Sequence, residues 1–112
     1  MLYFSRLTIV LLSTLLLGGC AAVKIGHDFD AANFAAKIEQ GVTTQNTVRT
    51  WLGEPTGVGV SMTSDGEIMD EWTYYFAEGR MHDMSSARIK ILQVRFDKSG
   101  KVRAYNWTAS KH

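Results

Sequence analysis

RIKILQVRFDKSGKVRAYNW, residues 88 to 107, decides the fold. Residues 88 to 96 alternate apolar and polar side chains with the period of a strand, and residues 101 to 107 do so again. Between them Asp97-Lys98-Ser99-Gly100 reads as a type I turn with Gly100 in the left-handed bulge position, so the two segments form an antiparallel hairpin. In that register Phe96 is expected across from Val102 and Val94 across from Ala104, which makes one face apolar. By alternation the other face is expected to carry Ile91, Gln93 and Arg95 on one strand and Arg103, Tyr105 and Trp107 on its partner.

Upstream, residues 68 to 76 contain Trp72-Thr73-Tyr74-Tyr75, a run of strong strand formers entered through the turn Ser64-Asp65-Gly66. Residues 58 to 62 suit a further strand, whereas the Gly, Met and Ser content of residues 79 to 87 predicts a loop. Before the strands the period changes. Ala31, Phe34, Ala35 and Ile38 recur on one helical face after Asp28 or Asp30 as cap, and Gly41 supplies a left-handed stop. Thr43 or Thr44 caps a second helix with Val48, Trp51 and Leu52 on its stripe, ended by Gly53 and Pro55. Both helices are too short to persist alone, so their stripes must pack on the sheet. The residues predict an α+β fold, a two-helix hairpin laid on one face of a small antiparallel sheet.

The first residues carry different information. Arg6 precedes an apolar run from Leu7 to Leu17, too short for the roughly 20 residues that span a bilayer, and Gly18 and Gly19 follow. Leu17-Gly18-Gly19-Cys20 resembles the lipobox of bacterial lipoprotein precursors. Cys20 is the only cysteine in the chain, so it closes no internal disulfide, and lipidation accounts for it. The expected organisation is a cleaved signal at residues 1 to 19, a lipidated tether at 20 to 27 and one folded domain at 28 to 112. Similarity to lipoproteins implies three acyl chains on Cys20, and Ala21 rather than Asp after it implies sorting to the outer membrane, with the domain facing the periplasm.

About 93 residues remain after cleavage, enough for one core and not two. The chain carries 12 Lys and Arg against 11 Asp and Glu, a balance that points to no nucleic-acid partner.

Across the mature chain, Gly41-Val42-Thr43, Val48, Leu52-Gly53-Glu54-Pro55, Trp72-Thr73-Tyr74, Val94-Arg95-Phe96 and Ser99-Gly100-Lys101-Val102 together resemble the BamE-type (SmpA/OmlA) outer-membrane lipoproteins. The resemblance implies a two-layer sandwich of two helices on a three-stranded antiparallel sheet. It also implies a non-enzymatic role accessory to β-barrel assembly or envelope maintenance. A periplasm-facing enzyme inhibitor or envelope-stress lipoprotein using the same sheet face is the alternative.

Catalysis finds little support in the residues, and no cofactor is expected. Asp70 and Glu71 are adjacent in a strand and so face apart, a poor arrangement for shared acid and base work. Met81-His82-Asp83-Met84 fits a loop better than a soft metal site. Two helices cover only one face of a small sheet, which leaves the other as the candidate interface. The partner-binding residues expected there are Ile91, Arg95, Arg103, Tyr105 and Trp107, because aromatic residues mixed with Arg are enriched at binding hot spots. Arg95 and Arg103 would also repel each other slightly across the strands.

Overall fold

The computed structural model describes residues 22–110. The expected signal segment, residues 1 to 19, and Cys20, the residue expected to carry lipid, lie outside the described residues. Within them a five-stranded antiparallel sheet carries two short helices on one face. Strand β3 (Ile68–Arg80) is its spine and pairs along its length with β4 (Asp83–Phe96), whose far side takes β5 (Val102–Ala109). The other edge of β3 is shared. β2 (Gly57–Met62) pairs with residues 68 to 73, and β1 (Val23–Ile25) with residues 77 to 79.

Helix α1 (Ala31–Lys37) starts where the Asp30 carboxylate accepts the Asn33 N–H, and α2 (Gln45–Leu52) where the Thr44 hydroxyl accepts that of Thr47. Phe34 of α1 and Val48 of α2 are buried against Trp72, Tyr74, Phe76, Leu92, Val94, Phe96 and Val102 of the sheet. Trp72 meets Phe96 edge-on with ring centroids 4.8 Å apart. Tyr74 closes the layer by donating its hydroxyl to the Gly53 carbonyl at 2.9 Å, which fixes the end of α2 to the sheet.

Four expectations are corrected. The sheet has five strands, not the three implied by the resemblance: all four segments read as strands belong to it, residues 23 to 25 of the expected tether add a fifth, and the expected loop only lengthens β3 and β4. Residues 23 to 25 alternate around Lys24 and hydrogen-bond to the open edge of β3. Gly26 then turns the chain at φ 76°, so close beneath β3 that a Cβ there would collide with the Tyr75 carbonyl oxygen. Residues 79 to 87 are not a loop, since β3 runs to Arg80 and β4 starts at Asp83. Gly79, read as a breaker, instead makes room between strands: a Cβ on it would stand 3.0 Å from that of Ala87.

The helices, thirdly, do not form a hairpin whose first helix is stopped by Gly41, although Gly41 is left-handed as expected, at φ 78°. Helix α1 ends at Lys37, Ile38 is already extended, and the linker runs beside the start of β5. Gly41 N–H donates to the Val102 carbonyl, Val102 N–H to that of Thr43, and Gln45 N–H to that of Gly100, at 2.8, 2.8 and 3.0 Å. The backbone polar groups of the linker are shared between the sheet and a local turn, in which the Val42 and Thr43 N–H groups donate to the Glu39 carbonyl at 3.1 and 3.0 Å.

The fourth correction concerns register. Phe96 does face Val102 as expected, but the next pairs are Arg95 with Ala104 and Val94 with Tyr105. One extra residue, Arg103, is accommodated in β5 as a bulge. Because side chains alternate with period 2, that single insertion exchanges the faces of every residue after it.

Candidate interaction surface

The sheet face away from the helices is uncovered among the described residues, and Ile91, Gln93 and Arg95 lie on it as expected, opposite Tyr75, Thr73 and Glu71. Arg95 is not an unsatisfied charge waiting for a partner. Its Nε lies 2.9 Å from Glu71 Oε2, and Gln93 Nε2 donates to Glu71 Oε1 at 3.3 Å. Arg103 reaches Glu67 at 3.6 Å, and Gln40 Nε2 bonds its carbonyl. Each arginine therefore has a carboxylate, and Arg95 stands across from Ala104 rather than from Arg103.

Tyr105 and Trp107 do not join this face. The bulge puts them beside Val94 and Leu92, on the helix side, where Tyr105 packs edge-on against Phe34 at 5.8 Å. They stay 39% and 42% exposed because β5 is an edge strand that α1 only partly covers. The five residues expected to form one interface are thus divided between two faces. No residue pattern in the hairpin marks the bulge, which lies where the linker bonds to Val102 and Arg103.

A different surface emerges at the opposite edge. β2 pairs only with β3, so its outer backbone groups are free among the described strands. Val58, Val60 and Met62 share one face with Ile68, and all four are exposed, at 70, 68, 70 and 53%. Gly57, Gly59 and Ser61 occupy the other face, which leaves that side of the strand with a single small side chain. The exposed carboxylate Asp70, across from Val60, places a charge beside these side chains, and it belongs to β3. An apolar, unpaired edge is an open template for strand pairing, and proteins ordinarily blunt such edges with charge, Pro or a covering element. β2 contains none of these charged residues or Pro. The alternation Gly57-Val58-Gly59-Val60 was the available signal: it marked a strand but not its place at an uncovered edge.

The depressions on this domain are open and shallow in chemistry. The larger, about 640 Å³, is lined by residues including His27, Glu54, Pro55, Tyr74 and Tyr75. Asp70 and Glu71 face apart, the first accepting from Gln45 Nε2 at 3.4 Å on the helix side and the second held by Arg95. Among the described residues no three His, Cys, Asp or Glu side chains gather as a metal site. Burial raises the Tyr74 phenol to a pKa of about 12, an effect that nearby Arg49 opposes and Glu54 reinforces.

That shift has a measurable consequence. Below pH 10 Tyr74 is neutral in folded and unfolded chains alike, whereas between about pH 10 and 12 only the unfolded chain gives up the proton. Stability should therefore fall across that alkaline window, by about 3 kcal/mol for a shift of two units. Phenolate absorbance should show one late-titrating tyrosine that is missing in Tyr74→Phe. An unchanged late step in that variant would contradict the assignment.

Comparison with protein-family models, with curated proteins and with solved structures finds no match. The fold implied by the BamE-type resemblance, with its three-stranded sheet, is also not the one described above.

Proposed function

We propose that the chain is a lipid-anchored, non-enzymatic protein-interaction module, held on the inner leaflet of the bacterial outer membrane and facing the periplasm. There it assists β-barrel assembly or maintains the envelope. The anchoring part rests on the lipobox-like Leu17-Gly18-Gly19-Cys20 and the lone cysteine. The interaction part rests on one observation: the unpaired β2 edge, with Val58, Val60, Met62 and Ile68 exposed together. Such an edge suits an extended segment of another envelope protein, whose backbone adds a strand while alternate side chains meet the valines. The family resemblance contributes the class of partner and no longer the architecture.

The experiment is capture from detergent-solubilised envelopes with wild type and a double Val60→Lys, Met62→Lys variant. Both substitutions fall on exposed side chains, where changes alter stability by about 0.5 kcal/mol, whereas loss of an interface anchor costs about 2 kcal/mol or roughly thirtyfold in affinity. Loss of captured envelope proteins with unchanged melting supports the proposal. Equal capture by both forms contradicts it, and capture of a single soluble enzyme would favour the inhibitor reading instead.

A further inference from the structure

The start of the described chain is built into the sheet, and its position defines an end of the molecule. Val23 pairs with Gly79 and Ile25 with Ala77, so β1 lies beside the tip of the β3–β4 hairpin. Only Ala21 and Ala22 separate Cys20 from that strand, and three Cα steps reach at most about 11 Å. If Cys20 carries acyl chains, the hairpin tip is the part of the domain nearest the bilayer.

The surface at that end is unlike the rest of the sheet. On the face away from the helices, Val23 and Ile25 of β1 adjoin Gly79, Ala77 and Tyr75 of β3, and then Ile89 and Ile91 of β4. None is charged. The charges of the same stretch alternate to the helix side, where Lys90 Nζ lies 2.7 Å from Asp28 and Arg88 sits 5.9 Å over Phe76. The tip itself exposes Met81 and Met84, at 65 and 54%, among the likewise exposed Arg80, His82 and Asp83, whose polar groups suit a headgroup layer, with Ile25 and Ile89 at 50 and 38%. Further along that face the character changes to the Glu71, Gln93 and Arg95 cluster.

We propose that this end is a second, non-covalent membrane contact: Met81, Met84, Ile25 and Ile89 rest in the headgroup region of the bilayer that holds the acyl chains. The inference rests on the lipid-anchored reading above. Its occupant is lipid because the covalent link is too short to place any thick partner between this end and the bilayer. The contact stays at headgroup depth, since an open sheet edge with free backbone groups does not enter hydrocarbon. It orients the domain with the β4–β5 turn roughly 40 Å away along β4, carrying the distal part of the β2 edge into the periplasm.

The test uses the lipidated mature protein in vesicles of phosphatidylethanolamine and an anionic phospholipid. Single Ile25→Cys, Met81→Cys and Lys98→Cys variants are labelled with an environment-sensitive fluorophore, Cys20 being blocked as its thioether. The mass of the purified protein reports the acyl chains independently, and thermal melts confirm folding. Blue-shifted emission at positions 25 and 81, mostly lost to headgroup-region spin-labelled lipid, with neither effect at 98, supports the contact. Three equally water-exposed labels, or three equally quenched ones, on an acylated protein overturn it and leave anchoring intact. An unacylated Cys20 overturns both.

Discussion

Phe96→Ala should destabilise the domain by about 3 to 5 kcal/mol, the range for removing a buried Phe side chain. Phe96 is fully buried, crosses Trp72 edge-on, and sits where β4, β5 and the α2 side of the core converge. Small surrounding collapse is expected because the neighbouring positions, Val94 and Val102, lie on a hydrogen-bonded ladder. A domain of this size has total stability of about 5 to 15 kcal/mol, so the variant should melt more than about 10 °C lower. Phe96→Leu, which retains most of the volume, should cost under about 2 kcal/mol. Denaturant unfolding of the mature chain with Cys20→Ser checks both; equal stability of Phe96→Ala and its parent would contradict the core described above.

Cys20→Ser should abolish lipid attachment altogether. A hydroxyl is a far weaker nucleophile than a thiol, and the Leu17-Gly18-Gly19 segment has no other sulfur to offer. Each buried methylene contributes about 0.8 kcal/mol, and two or more chains give stable anchoring where one is marginal. In the variant the precursor should be left uncleaved, its apolar signal segment retained and its acyl chains absent, so the loss is read as missing acyl label and a larger mass. Metabolic labelling with a fatty-acid analogue reads the outcome, and equal labelling of wild type and Cys20→Ser would exclude the lipoprotein reading.

The sequence made the hydrophobic layer legible wherever period and capping agreed. Local pattern placed Phe34 and Val48 in the core and Phe96 across from Val102, and narrowed each cap to two neighbours, of which Asp30 and Thr44 are the caps. What escaped were features decided by distant neighbours. Residues 23 to 25 are too few to announce a strand, and they become one only because β2 leaves part of the β3 edge free. Gly79 is a breaker in isolation and a spacer once Ala87 lies across from it.

The bulge at Arg103 had the largest effect. It conserves the alternation of the letters while exchanging the faces they occupy, so Tyr105 went to Phe34 rather than to Arg95. Exposure followed the same logic: Val60 and Ile68 look like core residues by composition, and only the order of strands shows that no helix reaches them.

Native mass spectrometry of the protein extracted from envelopes in mild detergent tests the central claim most directly, because it reads the covalent state and the bound partner together. The account predicts a chain beginning at Cys20, carrying acyl chains and accompanied by another envelope polypeptide that is lost in Val60→Lys, Met62→Lys. A chain with a free Cys20 thiol and no partner, or the same partner retained by that variant, would contradict it.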